Sequence, residues 1–155
     1  MRSRLHLALG LCAITLSACA STPARPPGPR PDGAGQVQVT VTGLESTEGQ
    51  VLVALFLDQR GWPDDQTLAF EARVLPIDGP QAVATFVDVP AGPFAVSVFH
   101  DEDLDRTLDT GVFGIPSEDY GFSRDARGKF GPPGFEDARL DLAPGGSQRI
   151  TIKVN

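Results

Sequence analysis

"QVQVTVTGL" at Gln36–Leu44 and "QVLVALFLD" at Gln50–Asp58 decide the fold. In the first, Val37, Val39 and Val41 alternate with Gln38, Thr40 and Thr42, the period-two pattern of a strand with one buried face. The second is apolar at every position from Val51 to Leu57. A strand of that kind is covered on both faces, so we read it as a central strand. The polar stretch "ESTEG", Glu45–Gly49, turns the chain between them.

Three more segments repeat the signal downstream. "LAFEARVLPI", "QAVATFVDV" and "GPFAVSVFHD" are rich in β-branched and aromatic residues. Asp78-Gly79-Pro80 and Pro90-Ala91-Gly92-Pro93 separate them with turn chemistry. In the last segment Phe94, Val96, Val98 and His100 share a parity, with Ala95 on the opposite face, so the histidine is expected to cap the core at the strand end. Near the C-terminus "FEDARLDL" points Ala138, Leu140 and Leu142 inward, and "SQRITIKV" does the same with Ile150, Ile152 and Val154. Pro144-Gly145-Gly146 joins these two as an expected hairpin.

About seven short strands with no convincing amphipathic helix predict a single antiparallel β-sandwich, immunoglobulin-like or prealbumin-like, over residues 36–155. A domain of that length is large enough for one hydrophobic core.

The N-terminus carries a different kind of information. Arg2 and Arg4 precede the apolar run Leu5–Leu16, which is too short to span a bilayer and has the shape of a secretory signal, residues 1–18. Leu16-Ser17-Ala18-Cys19 is similar to the bacterial lipobox, making Cys19 the expected lipidated N-terminus. Ala20, in place of Asp, implies sorting to the outer membrane, facing the periplasm. The alternative is a secreted or soluble periplasmic protein. Residues 19–35 hold five prolines and three glycines, an extended tether rather than a core.

Cysteine usage agrees, because Cys12 lies within the signal and Cys19 would carry lipid, leaving no disulfide or thiolate metal site. The net charge of −7 becomes −9 once Arg2 and Arg4 are removed, with 11 basic residues against 20 acidic. Such a surface excludes nucleic acid as a partner and assigns membrane attachment to the N-terminal lipid.

Residues 101–134 form a 34-residue connection between strands, far longer than a hairpin loop of about 2–5 residues. Two organisers are available. Phe113, Tyr120, Phe122 and Phe130 can pack as a satellite core or contact a ligand. Asp101, Asp103, Asp105 and Asp109 fall at the first, third, fifth and ninth positions of a calcium loop, with the Thr107 carbonyl at the seventh. Oxygen ligands at that spacing suit a hard cation, and Glu118 or Asp119 would close the shell from downstream. Arg106 stands where an EF-hand has Gly, Val112 where it has its bidentate Glu, and the flanks read as strands, so this is not an EF-hand.

The strand order and motifs resemble the domain of unknown function 2141 family of secreted bacterial proteins. The resemblance rests on "VTVTGLESTEGQVLVALF", on "PAGPFAVSVFHDEDLDRTLDTGVFGIPSEDYGFS" with its His-Asp strand end, Gly-Ile-Pro turn and Tyr-Gly-Phe-Ser, and on "FGPPGFEDARLDL". It implies the fold and export and carries no activity. Family members tend to read Asp-x-Asn-x-Asn-Gly where this chain has Asp101, Asp103, Asp105 and then Arg106.

Catalytic signals are sparse. His100 is the one histidine after the signal, "HDEDL" is not HExxH, and there is no GxSxG. The expected function is a non-catalytic envelope lipoprotein that binds an envelope protein or surface glycan, with calcium as its candidate cofactor. The alternative is a hydrolase using loop carboxylates such as Asp101 and Glu118.

Overall fold

The computed structural model describes residues 33–108, 111 and 116–155. Two sheets face each other. The first has the order β4-β1-β8, from β1 (Gly35–Thr42), β4 (Gln81–Val89) and β8 (Ser147–Lys153). The second has the order β3-β2-β5-β6, from β2 (Gln50–Phe56), β3 (Glu71–Pro76), β5 (Gly92–Asp101) and β6 (Tyr120–Phe122), with β7 (Leu140–Leu142) also pairing β5. The all-β sandwich expected from the sequence is the architecture found.

Strict alternation makes β1 a one-sided strand, with Val37, Val39 and Val41 fully buried and the intervening Gln and Thr half-buried. Its valines meet Val51, Val53 and Leu55 of β2, Phe94, Val96 and Val98 of β5, and Phe86 of β4 in the inter-sheet core. Each such side chain stabilises the fold by about 1.5–3 kcal/mol on burial. β2 is flanked by β3 and β5 and buried from Val51 to Phe56, as its unbroken apolar run requires.

Three local expectations are corrected. The "FEDA" segment is a helical turn, α1 (Phe135–Ala138), because the Asp137 carboxylate accepts from the Gly134 N–H at 3.2 Å and favours helix over strand there. Pro144-Gly145-Gly146 does not close a hairpin. It carries the chain from β7 in the second sheet to β8 in the first, where β8 runs parallel to β1 from Gln36↔Ser147 to Thr42↔Lys153. Ala95 does not face solvent. It is fully buried, because a second cluster covers the outer face of the second sheet.

That cluster is built from Ala54, Phe56, Ala95, Phe122, Phe135 and Ala138, with Trp62 packed against it. The Trp62 ring lies edge-on to Phe56 at 5.5 Å and to Phe135 at 5.9 Å, and its indole N–H donates to the Pro133 carbonyl at 2.8 Å. Ser123, fully buried, fastens the layer to β5: its hydroxyl donates to the Ala138 carbonyl at 2.6 Å and accepts from the Val96 N–H at 3.0 Å. The long connection therefore folds back as β6, a short 3-10 turn (Ser123–Asp125) and α1, covering a strand whose two faces both need cover.

Candidate functional site: the acidic turn and the adjoining groove

β5 ends at His100-Asp101, and both side chains turn inward. His100 is buried as its parity with Phe94, Val96 and Val98 demands, with Nε2 2.8 Å from the Glu48 carbonyl and Nδ1 3.9 Å from a Glu102 carboxylate oxygen. Its backbone N–H donates to the Asp119 carbonyl. It ties the end of β5 to the turn that precedes β2.

Asp101 is fully buried, and its carboxylate is occupied by donors. One oxygen accepts from Gln50 Nε2 at 2.6 Å and from the Arg106 N–H at 3.1 Å; the other accepts from the Asp105 N–H at 3.1 Å. Such charge-assisted bonds are stronger than neutral ones and curl the backbone around the carboxylate. Asp103 also accepts from the Asp105 N–H, and Asp105 accepts from the Thr107 N–H at 2.6 Å. Leu104 and Arg106 take left-handed conformations with φ of 70° and 66°. Arg106 thus keeps the turn geometry for which glycine is the usual residue.

The result is a carboxylate focus. One oxygen from each of Asp101, Asp103 and Asp105 lies within 4.8 Å of the others, Asp101 buried and the other two exposed. The structure does not bring Glu118 or Asp119 into that group. Glu118 instead accepts the Glu102 N–H at 2.9 Å, bracing the base of the turn. Asp109, Phe113 and Cys19 lie outside the described residues.

The turn forms one wall of an open groove of about 940 Å³ on the outer face of the second sheet. Arg106, Thr107 and Leu108 line it from this side, Pro63, Asp64 and Gln66 line another part, and residues 128–132 line a third. Val98, Phe99, Tyr120 and Phe122 also contribute. The aromatic expectation divides here. Phe122 is buried, and Tyr120, half-buried, meets it at 5.6 Å. Phe130 does not pack, being wholly exposed at the groove rim. Trp62 and Phe135 supply the remaining rings of the satellite layer, and the strand-like pattern around Phe135 conceals its role from sequence reading.

Burial raises the pKa of Asp64 above the ordinary carboxylate value even though its side chain reaches solvent. Asp101 and Glu118, the carboxylates named for a hydrolase, both accept backbone N–H groups.

A β-sandwich with an acidic turn and a groove against one sheet defines the class. Residues 39–151 match a family model described as an uncharacterized protein conserved in bacteria, DUF2141, and the chain belongs to that family. No curated protein matches. Among solved structures, a leucine-rich repeat protein from Bacteroides thetaiotaomicron aligns at 13% identity and a TM-score of 0.39, over 79% of this chain and 12% of that one. The chain thus spans about an eighth of that protein's length.

Proposed function

We propose that the chain is a lipid-anchored, non-catalytic binding module of the bacterial cell envelope whose acidic turn is ordered by calcium. The observation that carries the reading is the convergence of Asp101, Asp103 and Asp105 on a turn that forms one wall of the groove. Three carboxylates drawn together repel one another, and a divalent cation relieves that repulsion while taking their oxygens as ligands. The Thr107 carbonyl and Asp109 are the further candidate ligands by their spacing. Lacking an EF-hand's terminal bidentate Glu, the site is weak, with a dissociation constant of about 10⁻⁴ to 10⁻³ M as in extracellular modules.

Cys19 supplies the anchor, residues 20–32 the tether, since Gly33 to Gly35 already join the domain, and the outer membrane the location, with the domain facing the periplasm. The groove is the module's candidate binding surface. Two experiments separate these claims. Cys19→Ser is expected to move the processed protein from membrane to soluble fractions without changing the sandwich; retention at the membrane contradicts the anchor. Differential scanning calorimetry with millimolar calcium or chelator tests the turn.

A further inference from the structure

Among the described residues, the groove lining is more cationic than the chain as a whole. The chain has a net charge of −7, yet the charged side chains among the described lining residues are Arg106, Lys129 and Asp64, two cations to one acid. No ion pair occupies Arg106 or Lys129 among the described residues. Arg106 is held in place by backbone, since its N–H is bonded to buried Asp101 and its φ is 66°. Lys129 and Phe130 sit on a tightly folded loop: at Gly128 an added Cβ would collide with the carbonyl oxygens of Gly131 and Pro132. That loop holds Phe130 fully in solvent at the rim. An exposed ring beside an unpaired cation, over a floor that includes Phe99 and Tyr120, matches a ligand with an apolar body and a negative end.

Sugar rings fit this lining less well, because they need many partners for their hydroxyls. Of the neutral polar side chains on the described lining, Gln66, Ser97, Thr107 and Tyr120, the Ser97 hydroxyl is already committed to the Pro63 carbonyl at 3.0 Å. A volume of about 940 Å³ is within the range of small-molecule sites.

We propose that the groove binds one anionic amphiphile, an acyl chain ending in a carboxylate or phosphate head. Phe99, Tyr120 and Phe130 take the chain, and Arg106 and Lys129 take the head. The proposal rests on reading the protein as a binding module but not on calcium, so its test is run in chelator.

The test is isothermal titration of the purified full chain, below the micelle concentration, with decanoate, decyl phosphate, decanol and decyltrimethylammonium. Saturable binding of one equivalent of decanoate or decyl phosphate is expected, with decanol and decyltrimethylammonium at least about tenfold weaker. The stronger of the two anions identifies a fatty-acid or a phospholipid-type head. Arg106→Gln with Lys129→Gln is expected to erase the preference for anions while leaving the circular dichroism spectrum unchanged, and Phe130→Ala to weaken all four ligands. Equal affinity for decanol, undiminished anion preference in the double variant, or no saturable binding of either anion overturns the proposal. Calcium binding with no amphiphile binding would overturn this proposal alone; amphiphile binding with no calcium binding would overturn only the role of the acidic turn.

Discussion

Gln50 of β2 and Asp101 of β5 are register partners, and their side chains are joined by a 2.6 Å hydrogen bond from the amide to a fully buried carboxylate. The same carboxylate holds the N–H groups of Asp105 and Arg106, so one residue ends a strand, closes a turn and fixes a groove wall. Asp101→Asn sets an amide donor against these donors and is expected to cost about 1.5–3 kcal/mol, whereas Gln50→Ala costs about 1 kcal/mol. Urea denaturation measures both. Equal, negligible losses would show that the carboxylate does not organise the turn.

Gly49 abuts this strand end with φ of 75°, and a Cβ there would strike the Asp101 carbonyl oxygen. Gly49→Ala is expected to lower stability by at least about 1–2 kcal/mol and to shift the amide signals of residues 101–107, because both the left-handed backbone and the contact resist it. An unchanged melting temperature would contradict the observed packing.

The outer face of β5 supplies a sharper contrast. Val96→Asp and Ala95→Asp are both expected to unfold the domain, since Val96 belongs to the inter-sheet core and Ala95 to the satellite layer. Trp62→Ala, which removes the ring that meets Phe56, Phe122 and Phe135, is expected to cost about 3–5 kcal/mol. Wild-type stability of Ala95→Asp would mean that the satellite layer detaches in solution.

These pairs also show how far the sequence can be read. Alternation in Gln36–Thr42 and the unbroken apolar run of Val51–Leu57 identify their burial directly, because a strand's side-chain period is two whatever surrounds it. The parity of Phe94, Val96, Val98 and His100 places the histidine correctly for the same reason. The role of "FEDARLDL" is less legible: Ala138 and Leu142 are buried as expected, but local capping by Asp137 makes the first half helical. Ala95 is small enough to suit either face, and its burial depends on Ser123, Phe122 and Phe135, which reach it only through tertiary folding. For the site, the Asp101, Asp103, Asp105 spacing foretells their convergence. The groove was not legible, since its lining comes from residues as distant as Pro63 and Pro132.

Asp64 provides a pH test. Its folded-state pKa is raised by desolvation, so its charge opposes folding above that pKa, and the opposition disappears once both states are protonated below the ordinary aspartate value of 3.8. Asp64→Asn is therefore expected to raise the melting temperature at neutral pH, with the gain vanishing as pH falls through the raised pKa toward 3.8. A gain that persists at lower pH would trace to something other than the charge.

Calcium titration followed by calorimetry tests the central claim most directly. At ten times a dissociation constant of about 10⁻⁴ to 10⁻³ M, binding to the folded state adds about 1.4 kcal/mol. Millimolar calcium is thus expected to raise the melting temperature and to protect residues 101–134 from protease. Magnesium should do less because it retains its water and an octahedral shell. Asp103→Ala and Asp105→Ala should each abolish the shift. No heat of calcium binding, with residues 101–134 equally protected in chelator, would contradict the account and leave the hydrogen bonds of Asp101 and the aromatic layer as the sole organisers of the turn.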